Sequence, residues 1–158
     1  MVATIFSTEK VARLLELPDW RVVRFAQKKE YGITPRYAEA EGTGSRRLYD
    51  LENVCEMALA SALVEAGLRI QVIGRVVKQV RRMGGLSYLL SMPIEKLKTQ
   101  YLGVVRSPKG KIMGQEAVFV QSWEQLQNIF ERNRKASLLV FPVGLRFFAL
   151  ALHLERDV

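Results

Sequence analysis

Apolar residues recur along the first half of the chain with a helical period, most clearly at Leu51, Val54, Cys55, Ala58, Leu59, Ala62 and Leu63. These positions are i, i+3, i+4, i+7, i+8, i+11 and i+12, one face of a helix with 3.6 residues per turn. Asp50 stands before the run as an N-cap, and Gly67 follows it where a left-handed stop is favoured. Upstream, Ser7-Thr8-Glu9 offers a cap and a first-turn acid ahead of Val11, Leu14 and Leu15, which predicts a short helix over 7–16. Pro18-Asp19 then breaks and restarts the chain, because proline is tolerated only in a helix's first turn. Residues 20–29 read as a second short helix with Arg21, Arg24 and Lys28 on one face and Val22 and Ala26 on the other. A fourth helix is predicted over about 70–82, with Ile73, Val76, Val77 and Val80 inward and Arg75, Lys78 and Arg82 outward, closed by Gly84-Gly85.

Between the second and third helices, Gly32, Pro35, Gly42 and Gly44 interrupt any periodicity, so 30–49 is expected to be loop or a small two-stranded ribbon. Past Gly85 the pattern changes. "SYLLSMPIEKLK" is a broken helical segment, "YLGVVR", "EAVFVQ" and "SLLVFPV" have the composition of strands, and Trp123, Leu126, Ile129 and Phe130 mark a helix behind a Ser122 cap. Residues 144–156 are ambiguous between strand and helix, their Ala and Leu content favouring helix. The expected fold class is α+β: four helices with a hairpin over 1–83, and a small α/β module over 86–158.

Composition narrows the function. At 158 residues, with 49% hydrophobic and 25% charged side chains, the chain belongs with ordered globular proteins. A net charge of +8 and a pI near 9.9 favour a polyanionic partner, nucleic acid first. One cysteine excludes an intrachain disulfide, and with one histidine it cannot make a zinc site of ordinary ligand count, so no cofactor or metal is expected and the compartment is a reducing cytoplasm. "LLVFPVGLRFFALALHL" is apolar, but Pro142, Gly144 and Arg146 interrupt it, so it reads as core and not as a membrane span. No phosphate-binding loop, nucleophile elbow or metal-ligand cluster is present, and an enzyme is not expected. Each half carries +4, so arrangement decides where a polyanion would bind: Arg21, Arg24, Lys28, Lys29, Arg36, Arg46 and Arg47 fall within 27 residues.

A helix fits the DNA major groove and delivers side chains near its N-terminus to base edges, while a glycine-flanked basic loop can lie along phosphates. Trp20 could stack on sugar or base, although a partly buried anchor is the reading preferred for it. Tyr49 reads as a packing or phosphate-contacting residue, Arg75, Lys78 and Arg82 as a solvated face, and Cys55 and His153 as core.

In this order, from Phe6 to Val77, the parts resemble the MerR-type winged helix-turn-helix regulators. In that family a helix-turn-helix is followed by a wing ending in Arg-x-Tyr, here Arg47-Leu48-Tyr49, and by a helix pair whose joint takes Gly, an apolar residue and a cap, here Gly67-Leu68-Arg69. The resemblance implies a homodimeric, sequence-specific regulator of transcription on double-stranded DNA. The second helix would enter the major groove with Arg21 and Arg24 leading, the wing at 42–49 would set Arg46 and Arg47 on the flanking backbone, and Trp20, Lys28 and Tyr49 would complete the interface. Two departures are visible. Trp20-Arg21-Val22-Val23-Arg24-Phe25 replaces the family's small polar start and Arg-Tyr-Tyr run, so its base contacts do not transfer. Gly84-Gly85 and Met92-Pro93 forbid the long dimerisation helix, leaving the C-terminal module to self-associate or to meet a small-molecule or protein effector. The alternatives are an excisionase-like architectural DNA-binding factor and a protein-interaction adaptor built on a winged helix.

Overall fold

The computed structural model describes residues 4–36, 46–106, 112–120, 123–132 and 137–156. In chain order these form β1 (Phe6–Ser7), α1 (Thr8–Leu14), α2 (Asp19–Gln27), β2 (Leu48–Tyr49), α3 (Leu51–Glu65), α4 (Ile70–Arg82), α5 (Ile94–Lys98), β3 (Tyr101–Arg106), β4 (Ile112–Val120), α6 (Trp123–Arg132), β5 (Ser137–Phe141) and α7 (Val143–Arg156). Short 3-10 turns lie at Lys29–Tyr31 and Ser87–Ser91. The fold is α+β, as expected, and 144–156 is helical.

The local signals act where the sequence puts them. The Ser7 hydroxyl accepts from the Lys10 N–H at 3.3 Å, and Asp50 Oδ1 accepts from the Asn53 N–H at 2.7 Å, each satisfying a first-turn donor. Gly67, at φ 77°, ends α3 with Leu68 N–H bonded to Leu63 O at 3.1 Å and Gly67 N–H to Val64 O at 2.9 Å, a Schellman closure. The α1–α2 turn closes the same way, Leu17 N–H to Ala12 O at 2.8 Å, but Glu16 occupies the left-handed position at φ 53°. A side chain there costs about 1 kcal/mol, which the surrounding packing must offset.

Helix α3 is the centre of the molecule. It is buried on nearly every side, with Asn53, Glu56, Met57, Ala60 and Ser61 withdrawn from solvent alongside Val54, Cys55, Ala58, Leu59 and Leu63. The apolar stripe alone anticipated one buried face; helices α2, α4 and α7 instead contact it from several directions. Helix α4 keeps the expected division, Ile73, Val76, Val77 and Val80 inside and Arg75, Lys78 and Arg82 outside. Gly74 marks its tightest contact, since a Cβ there would lie 1.8 Å from the Glu30 carbonyl oxygen. The chain after α2 is thereby pressed directly onto the backbone of α4.

Strand β3 is the middle of a three-stranded antiparallel sheet ordered β4-β3-β5, with Tyr101 opposite Val120, Leu102 opposite Phe141 and a register shift against β4 between Val104 and Arg106. Helix α7 returns from β5 to pack on α5, α3 and α1, and Phe147 and Leu150 join the same apolar cluster as Val11, Leu59 and Val80. One hydrophobic core therefore runs across the expected boundary at 83–86. The sequence expectation of two adjacent modules understated this fusion, because the apolar face of α7 finds its partners in the first half of the chain.

Candidate nucleic-acid interface

Helix α2 is oriented by its inner face. Val22 and Phe25 are fully buried, and Phe25 meets Tyr31 edge-to-face at 4.9 Å between ring centroids, which ties the helix to the 3-10 turn that follows it. The outer face is then fixed by geometry: Arg24 and Gln27 are exposed, and Trp20 is 57% exposed, whereas Lys28, expected on the same helical face, is exposed but caps the helix in extended backbone at φ −82° and ψ 103° and so leaves its register. The preference for Trp20 as a partly buried anchor is corrected, since more than half of its surface is open to solvent. Arg21 is half-buried, its guanidinium carbon 5.4 Å from the Trp20 ring centroid, so these two side chains form a cation–π pair at the start of the helix.

The remaining expected residues divide. Arg46 is exposed and Arg47 half-buried, both just before β2. Tyr49 is 0% exposed, paired with Phe6 in the β1–β2 ribbon, and so cannot touch a phosphate; this corrects its inclusion among DNA-contacting residues. Burial raises its phenol pKa above 10.0, against smaller lowering effects of the Thr8 hydroxyl and the Arg47 charge. The turn expected at Gly42 and Gly44 lies outside the described residues.

Arg36, counted with the basic cluster, has a structural role instead. Its Nη2 donates to Glu56 Oε1 at 2.7 Å and its Nη1 to Asp50 Oδ1 at 3.3 Å, while its backbone N–H donates to Asn53 Oδ1 at 2.9 Å. Arg81 Nε reaches the same Glu56 oxygen at 2.8 Å, and its Nη2 donates to Gly32 O at 2.9 Å. Asn53 Nδ2 donates to Thr34 O at 2.9 Å. This network clamps residues 32–36 onto α3 and α4, and the Glu56 hydrogen bond raises the Arg81 pKa. Its visible trace in the sequence is Glu56, an acid inside the apolar run "VCEMALA". A neighbouring carboxylate, Glu52, accepts from the Leu86 and Ser87 N–H groups at 2.5 and 2.8 Å, holding the chain beyond α4 against α3.

Beside the clamp lies a groove of about 520 Å³ bounded by the C-terminal end of α2, Thr34-Pro35, Arg47 and α4. Lys29, Arg47, Lys78 and Arg81 line it, with no carboxylate among its lining residues. Lys78, assigned by sequence to a solvated face, is exposed but also borders this groove.

On another side of the molecule, α7 meets the α1–α2 turn around a hollow of about 130 Å³. His153, expected in the core, is 35% exposed in its side chain and lies 3.6 Å from a Glu16 carboxylate oxygen. Arg146 pairs with Glu65 nearby. Cys55 is buried as expected, and its thiol pKa is pushed well above 9.0, first by burial and then by Glu52, Glu56 and Asp50.

Among the described residues no group of three or more His, Cys, Asp or Glu is placed to hold a metal ion, and no helix is long and apolar enough to cross a membrane. No known protein-family profile matches the chain, and no curated protein is significantly similar to it.

Proposed function

We propose that the protein is a sequence-specific DNA-binding regulator of the winged helix-turn-helix type, with α1 and α2 as the helix-turn-helix and β1–β2 at the base of the wing. One observation carries this reading: α2 is locked by Val22 and Phe25 while Trp20, Arg24 and Gln27 face solvent on its other side, with exposed Lys28 at its C-cap. A short, rigidly held helix with exposed stacking, guanidinium, amide and ammonium groups has the chemistry to read base edges and flanking phosphates. Arg46 extends the same charge toward a backbone contact. In this reading the Trp20–Arg21 pair leads into the groove and Arg24 is the first base-reading candidate.

A single small module covers about 600–1,000 Å² of surface on DNA, so the regulator reading pairs two copies on adjacent half-sites. Because α4 stops at Arg82 and the following chain folds back, dimerisation would use the open edges of the sheet, β4 or β5, and not an extended coiled coil. That same early stop favours a second reading, an architectural factor that bends DNA without an effector.

Selection of bound sequences from random duplex DNA tests the proposal. The wild type is expected to enrich one motif, and Arg24→Ala to relax specificity at one position with a loss of roughly 1–3 kcal/mol. Absence of any enriched motif, together with unchanged weak binding by Arg24→Ala and Trp20→Ala, refutes sequence-specific recognition. A large bend without a motif would point to the architectural reading.

A further inference from the structure

We infer that the groove between the end of α2 and α4 is a second phosphate-binding site, in which Lys29, Arg47 and Lys78 hold a backbone phosphate of the DNA outside the segment read by α2. The inference rests on the DNA-binding reading and adds a contact that the wing and α2 do not supply.

The groove is cationic by construction. Four of its lining residues are basic and none is acidic, so a bound anion meets no like charge from the wall. The cations are not equivalent. Arg81 is already held by Glu56 Oε1 at 2.8 Å and by Gly32 O at 2.9 Å, so its charge is largely matched within the protein. Lys29, Arg47 and Lys78 form no ion pair among the described residues, and together they present uncompensated charge. Such groups are costly to crowd and are relieved by a ligand anion.

The groove's shape is fixed from beneath. The Glu56–Arg36–Arg81 network and the Asn53–Thr34 bond hold its floor, and Gly74 lets Glu30 sit against α4 so that Lys29 is carried to the α4 side. The Lys78 stem crosses Gly32, with Cε 3.1 Å from where a Cβ would stand at that position. A lysine whose stem is supported loses less rotamer freedom on gripping an anion than one that is free.

Position selects the kind of anion. Lys29 directly follows exposed Lys28 just past the C-terminal end of α2, and Lys78 lies between exposed Arg75 and Arg82 at i−3 and i+4 on α4. The groove therefore joins the basic face of α2 to a basic stripe on α4, giving an extended cationic track. A track matches a polymer with regularly spaced phosphates better than it matches an isolated small anion.

The test is the salt dependence of binding to a selected duplex, compared among the wild type, the Lys29→Gln/Lys78→Gln double variant and Lys96→Gln. Lys96 lies on α5, away from the groove and from the α4 stripe, and all three substituted residues are exposed, so thermal melts should coincide. Loss of one phosphate contact is expected to lower the slope of log K against log salt by about 0.9, and to weaken binding roughly tenfold, with the selected motif unchanged. Lys96→Gln should leave the slope in place. The inference is overturned if the double variant keeps the wild-type slope, or if Lys96→Gln lowers it equally, and in both cases intact motif selection leaves the DNA-binding reading standing. If the wild type binds no DNA while inorganic phosphate shifts the amide resonances of Gly32 and Thr34, the site takes a free phosphate and the inference as stated is wrong together with the reading beneath it.

Discussion

Replacing Glu56 with glutamine tests whether the clamp beneath α2 is a major source of order. In the native protein the Glu56 side chain is 2% exposed and its Oε1 accepts from Arg36 at 2.7 Å and Arg81 at 2.8 Å. Removing one partner of a fully buried ion pair costs about 3–5 kcal/mol, mostly from the uncompensated charge left behind. Here the two guanidiniums retain 32% and 37% of their side-chain surface, so water recovers part of that cost. A loss of about 2–3 kcal/mol is therefore expected for Glu56→Gln, which also keeps the shape and one acceptor oxygen. For a chain of this length that corresponds to a melting point lower by roughly 4–12 °C. Urea unfolding followed by circular dichroism gives the stability, and a double-mutant cycle with Arg81→Gln isolates the pair. Hydrogen exchange should accelerate at residues 32–36, whose backbone the clamp holds. A stability change below about 0.5 kcal/mol, or additive single and double variants, would refute a clamp and leave these contacts as incidental surface pairs.

Three further outcomes follow from other contacts. Gly74→Ala in an unhindered helix would stabilise by about 1 kcal/mol, but the 1.8 Å approach to Glu30 O should reverse the sign and cost more than about 2 kcal/mol in denaturant unfolding; a gain would show that α4 and the Glu30 turn do not touch. The Cys55 thiol should resist a disulfide-exchange reagent until the protein unfolds, and because the unfolded chain releases that proton near pH 9.0 while the native state keeps it, stability should fall as pH rises past that value, less so in Cys55→Ala. His153→Ala should change stability by under about 0.5 kcal/mol, because Glu16 is largely solvated and such exposed pairs contribute little; a loss above about 1 kcal/mol would show that the contact holds α7 to the α1–α2 turn.

What was legible in the chain was what nearby residues decide. The Ser7 and Asp50 caps, the Gly67 stop, the inward set on α4 and the strands after Tyr101 each depend on residues within a few positions of one another. The β1–β2 ribbon was not legible, because two residues per strand show no alternation and Phe6 must find Tyr49 across two helices. Helix α7 was legible as a helix but not as the lid of the first half's core, since an apolar face does not say which other face it meets. His153 was assigned to the core for the same reason: its neighbour Glu16 is remote in sequence and occupies a left-handed position that composition does not reveal.

The candidate site shows the same division in electrostatic form. Net charge counts every arginine alike, yet a cation can attract a ligand only to the extent that the protein has not already neutralised it. Arg36 and Arg81 are matched by Glu56, and Arg146 by Glu65, partners that lie far along the chain. Arg24, Lys28, Lys29, Arg46 and Lys78 have no such partner among the described residues. The sequence could not separate Arg36 from Arg24, because both are arginines near α2 and the difference is a carboxylate on α3. Subtracting the internally matched charges moves the centre of the basic surface away from Arg36 and toward Lys29 and Lys78. The groove and the outer face of α2 then become one surface, and the reading of this protein as a DNA-binding module comes to depend on α4 as much as on the helix expected to enter the major groove.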